Sequence, residues 1–123
     1  MELIKAVEKF IIWLKINRNA SIKTIEQYEF HIYKFLCYLN PEIEKMIDHK
    51  LVFLNSPLEP KLIKARNDQK KSLNKLIDWK LKDIDIDIVN NFRFQISQKD
   101  LNIKTVNAYM ISLRTFFKYV KKQ

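Results

Sequence analysis

The fold is decided by one stretch, residues 21–39, which reads SIKTIEQYEFHIYKFLCYL. Apolar side chains recur in it at steps of three and four, which is the spacing of one face of an α-helix. Ser21 is of a type that caps helix N-termini, and Asn40-Pro41 ends the pattern because proline cannot continue a helix. The stretch therefore predicts an amphipathic helix. Its inward-facing residues are Ile25, Tyr28, Ile32, Phe35, Leu36 and Leu39.

The beginning of this helix returns 81 positions later in the chain. Residues 21–28, SIKTIEQY, align with residues 102–109, NIKTVNAY, and the letters IKT are identical in both. Further along, the apolar positions of the first helix align with apolar positions of the second. We infer that two helices share one template, and that the second is capped by Asn102 and runs to about Lys122.

Two more helices are predicted outside the repeat. Over residues 2–16, apolar side chains at helical spacing are separated by charged ones. The inward-facing residues of this helix are Leu3, Val7, Phe10, Ile11 and Leu14. Residues 83–88, DIDIDI, have the period of a β-strand, but the apolar residues after them follow at helical spacing. We therefore predict a helix over about 86–98, with Asp85 as its cap.

The connection between the second and third of these helices is long, from residue 40 to about 82. Pro41, Pro57 and Pro60 break its first part into loop and one short turn. Residues 61–79 have helical spacing again, with lysines away from the apolar positions, and they predict an inserted basic helix. The sequence as a whole thus predicts an all-α fold.

Composition excludes several classes of protein. With 123 residues, of which 47% are apolar, the chain suits one folded domain and is too short for two. The absence of glycine removes every Gly-rich phosphate loop. One cysteine, Cys37, and two histidines, which we expect at solvated or edge positions, predict no disulfide, metal site or cofactor. No apolar run approaches the roughly 20 residues that span a bilayer, so we expect a cytoplasmic protein without a membrane partner.

The chain is strongly basic. It has 23 basic and 14 acidic residues, which give a net charge of +9. Most of the excess lies in residues 61–82, with +6, and in residues 99–123, with +5. Such a charge indicates a polyanionic partner, although a general enrichment in lysine produces the same total.

Each helix of the repeat carries a lysine at its second position. Lys23 and Lys104 lie where the helix macrodipole is positive, which is unfavourable for a cation. A bound anion reverses this effect, because it interacts favourably with the lysine and with the free N–H groups of the first turn. We therefore interpret the two helix starts as phosphate-binding positions.

Four segments, in this order, resemble the N-terminal core-binding domain of phage integrases and Xer-type tyrosine recombinases. They are residues 10–14 (FIIWL), 21–36 (SIKTIEQYEFHIYKFL), 84–92 (IDIDIVNNF) and 102–117 (NIKTVNAYMISLRTFF). The resemblance implies a single domain over residues 1–123, folded as a SAM-like four-helix core-binding bundle. This chain departs from the family pattern by an inserted basic helical segment at about 40–82, between the second and third core helices. It also implies that the chain binds double-stranded DNA in support of DNA integration and recombination. Catalysis would belong to a C-terminal domain that we expect to be absent, so we expect no enzymatic activity from this chain.

The resemblance also implies which residues contact DNA, because both helices of the repeat would lie in or across the major groove. The last helix carries a stripe at steps of three and four: Lys104, Asn107, Ile111, Arg114, Lys118 and Lys121. The polar side of the second helix holds Lys23, Gln27, His31 and Lys34. Phosphates would be contacted by Lys23, Thr24, Lys104, Thr105, Arg114 and Lys118. Gln27 and Asn107 would reach base edges. Lys34 and Lys121 complete the candidate DNA-binding set.

Two other functions remain consistent with the sequence. One is a helical adaptor that binds a protein, with the basic segments directed at an acidic partner. The other is a stand-alone, catalytically inert regulator that occupies recombination sites. As a recombinase domain, the chain is expected to be a monomer in isolation and to meet other protomers on the recombination site. Its basic segment at 61–82 would then extend the DNA footprint, contact a neighbouring protomer, or remain a solvated face.

Overall fold

A computed structural model describes residues 2–53, 59–99 and 101–122. Its helices are α1 (Leu3–Ile16), α2 (Ile22–Leu39), α3 (Glu42–Met46), α4 (His49–Phe53), α5 (Pro60–Leu76), α6 (Ile86–Ser97) and α7 (Ile103–Lys121), with a 3₁₀ turn at Leu81–Asp83. Over these ranges the chain forms no β-strand, and one isolated bridge pairs Glu2 with Lys80. The all-α class is therefore confirmed. The loop predicted around Pro57 lies outside the described residues.

The starts of three helices follow from their caps. Ser21, Asp85 and Asn102 each precede a helix, and each side chain accepts a hydrogen bond from the backbone N–H three residues later. The distances are 3.2, 2.9 and 2.9 Å. Each bond satisfies an N–H group that has no partner inside the helix. All three predicted caps are thus confirmed.

Removal of a cap is expected to cost stability. Ser21→Ala and Asn102→Ala should each lower the free energy of unfolding by about 1 kcal/mol, because a first-turn N–H loses its acceptor. The measurement is urea denaturation followed by circular dichroism. Asn91→Ala, at an exposed position inside α6, is the control and should be neutral or slightly stabilising, since alanine favours helix interiors. Equal effects at all three positions would contradict the capping role.

Helix α2 lies at the centre of the structure, with α1, α3, α4 and α7 packed around it. From Glu29 to Cys37 every side chain is buried or half-buried. The amphipathic prediction left one side of this helix to solvent, and for the second half of α2 that was wrong. The cause is the connection that follows: the Tyr33 hydroxyl donates a hydrogen bond at 3.1 Å to the carbonyl of Ile47, between α3 and α4.

Helix α1 is buried on two sides. Its predicted stripe lies in the core, and Ile4, which is not part of that stripe, is buried as well. The second side is covered by the middle of the chain, where the backbone N–H of Leu3 donates to the carbonyl of Trp79 at 2.9 Å. An ion pair of 3.8 Å between Lys70 and Glu8 also joins α5 to α1. The middle of the chain therefore contacts α1 in addition to α2 and α7.

The segment between α2 and α6 contributes to the main core. One apolar cluster contains residues of α1, α2 and α7 together with five from this segment. Those five are Ile43, Ile47, Val52, Leu73 and Ile77. A second cluster joins α2, α6 and α7 through Phe35, Phe92, Ile96, Val106, Tyr109 and Leu113. Because α2 and α7 take part in both clusters, their relative position is held from two sides.

Candidate nucleic-acid interface

One side of α7 is an exposed stripe that is basic and polar apart from Ile111. Its members are Lys104, Asn107, Ile111, Arg114, Lys118 and Lys121, and all six are exposed. The opposite side of the helix is buried in the two clusters. Residues three and four apart lie on one helix face, so the four cations are spread along about 26 Å of it. None of them pairs with a carboxylate of the described residues.

The two lysines of the repeat occupy equivalent places. Lys23 and Lys104 are the second residues of α2 and α7, and both are exposed. Within the described part of the chain neither forms an ion pair. Beside them, Thr24 is exposed and Thr105 is half-buried. The cationic groups at the two helix starts are therefore open to an external anion.

Contacts between α2 and α7 advance in the same direction along both helices. His31 Nδ1 and Ser112 Oγ lie 2.7 Å apart, and these residues are equivalent in the repeat, since 81 positions separate them. The ring of Tyr109 lies 4.3 Å from that of His31, and further along Phe35 meets Phe117 at 6.3 Å. Later residues of one helix thus meet later residues of the other. This places the first turns of α2 and α7 at the same end of the pair.

Histidine 31 does not lie on a solvated edge. It is buried, with 7% of its surface exposed, against Ser112 and Tyr109 of α7. Burial lowers the pKa of His31 below its usual value, because the charged ring is poorly solvated there. The expectation of a solvated or edge position was wrong for this residue, since α7 covers that side of α2. His31 therefore helps to orient α7 and is not on the interface.

Helix α2 offers only its beginning to a ligand. Lys23, Thr24 and Gln27 are exposed, whereas Lys34 is half-buried. The Lys34 ammonium lies 3.5 Å from a carboxylate oxygen of Glu44 and 5.4 Å from the centre of the Phe30 ring. Its charge is thus partly compensated within the chain. Glu44 belongs to α3, so nothing in the spacing of α2 itself indicated this pairing.

Some basic residues of helix α5 are exposed, and others contact acidic residues of α1 and α2. Four of its lysines are exposed: Lys61, Lys64, Lys71 and Lys75. Lys70 turns inward to Glu8, and Arg66 lies close enough to the buried Glu29 to lower the pKa of that carboxyl. Burial and the nearby Glu26 outweigh this effect and raise the Glu29 pKa from 4.5 to about 7. Only part of the charge predicted for this segment is therefore available to a partner.

One cation of this surface was missed by the sequence analysis. Arg93 is exposed on α6, and it lines the same groove as Arg114, Lys118 and Lys121 of α7. No spacing rule connects residues on two different helices. Only the packing of α6 against α7 brings Arg93 to the cations of the stripe.

Neither a membrane helix nor a metal cluster is found in the described residues. None of their helices has the length and apolar character needed to cross a bilayer. No three side chains of His, Cys, Asp or Glu among residues 2–53, 59–99 and 101–122 are grouped as metal ligands. Comparison of the chain with protein-family models, curated proteins and solved structures found no match.

Proposed function

We propose that this chain binds double-stranded DNA as the core-binding domain of a site-specific tyrosine recombinase. The observation that carries the proposal is the exposed cationic stripe of α7, whose charges have no carboxylate partner among the described residues. The stripe begins with Lys104 at the end of the helix pair where α2 begins with Lys23. In this proposal α1, α2, α6 and α7 are the four core helices of the SAM-like bundle. The helices α3 to α5 form the insertion between the second and third of them.

The stripe suits a duplex in both length and chemistry. The major groove, about 12 Å wide, admits an α-helix, and α7 presents its cations over about 26 Å. In this arrangement Lys23, Lys104 and Arg114 bind phosphates, supported by Lys118, Lys121 and the two threonine hydroxyls. Gln27 and Asn107 are the candidates for base contacts. Lys34 contributes least, because part of its charge is compensated by Glu44.

The remaining parts of the proposal concern the setting of this domain. It would work in the cytoplasm, without a cofactor, as a monomer in isolation and beside other protomers on a recombination site. Cutting and joining of DNA would be performed by a separate catalytic domain. A stand-alone regulator without catalysis is compatible with the same surface, and the DNA-binding tests below apply to both.

Binding to a duplex is expected to depend steeply on salt. About six neutralised phosphates release enough counterions for a slope near −5 in log K against log salt concentration. The measurement is fluorescence anisotropy of a labelled duplex of about 25 base pairs, titrated at several salt concentrations. A slope near zero, or no binding at low salt, would remove the DNA interpretation.

The double variant Lys104→Ala with Arg114→Ala is expected to bind the duplex at least about tenfold more weakly. Its slope of log K against log salt concentration should become less steep by about 2. The matched control is Lys9→Ala with Lys15→Ala, two exposed lysines of α1 without a described ion pair. Both double variants should melt like the parent chain, since the four side chains are exposed. Equal weakening in the control would mean that binding follows net charge and not this interface.

A further inference from the structure

A groove of about 580 Å³ lies between α6 and α7. Its apolar lining comes from both helices and from the turn before α6. Ile86 and Val89 line it on one side and Phe117 lines it on the other, together with the buried Met110 and Leu113. Ile86 keeps 72% of its surface exposed. The groove thus offers apolar side chains to whatever fills it.

The rim of this groove is cationic. Arg93 stands on the α6 side, and Arg114, Lys118 and Lys121 stand on the α7 side. The one acidic residue in the lining is Asp85, whose carboxylate already accepts the 2.9 Å capping hydrogen bond from Ile88. In the described part of the chain none of the four cations has a carboxylate partner. A ligand that complements both the apolar lining and the cationic rim therefore has an apolar face flanked by acidic groups.

We propose that the groove binds an acidic amphipathic helix of another protein. On α7 the lining runs from Met110 to Lys121, which is about 16 Å or three helical turns. A partner helix of that length inserts apolar residues at steps of three and four and directs its carboxylates at the rim. The groove shares Arg114, Lys118 and Lys121 with the proposed DNA interface, so the helix and a duplex would compete for these cations. The apolar lining on which this inference rests takes no part in the proposed DNA binding.

A second copy of this chain is a poorer occupant. The apolar side chains that α1 leaves exposed, Ile12 and Ile16, have Lys9 and Lys15 as neighbours. Docking α1 of another copy into the groove would bring these lysines towards Arg93 and the α7 cations. Like charges at a contact disfavour binding, so charge complementarity selects an acidic helix.

The test uses synthetic peptides of about fourteen residues labelled with fluorescein. The first has leucine at helical spacing on one face and glutamate elsewhere. The second contains the same residues in an order that destroys this face, and the third has lysine in place of glutamate. Anisotropy should show saturable binding of the first peptide to the intact chain, and at least about tenfold weaker binding of the other two. Equal binding of either control peptide would overturn the proposal.

Two variants localise the binding. Ile86→Asp places a charge in the groove at the first residue of α6, where a carboxylate is favourable for the helix. Arg93→Glu reverses the charge on the rim. Each variant should bind the first peptide about tenfold more weakly than the parent chain does. The matched variants Ile12→Asp and Lys9→Glu, which lie outside the groove, should bind it as the parent does. Unchanged binding to both groove variants would place the peptide elsewhere. Since no DNA is present, failure of this assay is distinct from failure of the DNA-binding test.

Discussion

Leu73→Ala is expected to lower the free energy of unfolding by about 2–5 kcal/mol, which is a large part of the stability of a small domain. Leu73 is 1% exposed and lies in the apolar cluster that also contains residues of α1 and α2. Truncation removes buried methyl groups and leaves a cavity. The size of the loss measures how firmly the long connection is built into the core.

The matched control for this variant lies on the same helix. Leu62 is 39% exposed, and Leu62→Ala should change the unfolding free energy by less than about 0.5 kcal/mol. Urea denaturation followed by circular dichroism at 222 nm compares the two. Similar small losses in both variants would mean that α5 is an attachment to the bundle and not part of its core.

Glu29→Gln is expected to stabilise the chain at pH 8 by up to about 3 kcal/mol. Glu29 is 7% exposed, and burial raises its pKa from 4.5 to about 7. Between these two pH values the folded state binds a proton that the unfolded state has lost. Stability contributed by this group is therefore present below pH 4.5 and is lost as the pH rises through about 7. Glutamine has a similar shape and no charge, so the variant avoids the loss.

The pH dependence separates this effect from a general one. Melting temperatures of the parent and Glu29→Gln should converge near pH 4.5 and diverge as the pH rises to 8. Glu26→Gln, at an exposed position of the same helix, should stabilise the chain far less, because Glu26 is a smaller cause of the raised Glu29 pKa than burial is. Glu29→Gln, which lacks this carboxyl, should lose stability below pH 6.5, because the buried His31 resists protonation in the folded state. If the difference in melting temperature between the parent and Glu29→Gln were the same at all pH values, ionisation of Glu29 would not be its cause.

The helix boundaries were predictable because the signals for them are local. Ser21, Asp85 and Asn102 each supply an acceptor to an N–H three residues away, and that interaction needs no distant partner. The 3.6-residue period likewise indicated which side of α7 is buried. These parts of the fold follow from residues within a turn or two of each other.

The surroundings of α2 were not predictable in this way. Its spacing indicated one apolar face, yet Tyr33 and Cys37 are buried on another because α3 and α4 pack there. His31 is buried by Ser112, which lies 81 residues away in sequence. A periodic pattern reports a preference for burial on one side but not whether a later segment covers the other.

The exposure of some candidate DNA-binding residues was likewise predictable from spacing, and that of others was not. Arg114 and Lys118 belong to a stripe on one helix, so their common exposure follows from spacing alone. Lys34 also lies three or four residues from other polar residues of its helix, but it forms an ion pair with Glu44 of α3. Arg93 joins the cations of α7 only because α6 packs beside them. Charges on one helix are predictable from the sequence, and charges shared by two helices require the tertiary structure.

The order in which the chain leaves the ribosome matters for a fold tied together in this way. Helix α1 is synthesised before the segments that it contacts. The Leu3 N–H can bond to the Trp79 carbonyl only after residue 79 has been made. The ring of Phe10 can pack against that of Phe116, 5.4 Å away in the folded chain, only after α7 has been made. Closing such long loops before their contacts form costs chain entropy and slows folding. The part of α1 that α7 covers therefore stays exposed until α7 has left the exit tunnel, and exposed apolar surface favours aggregation during that interval.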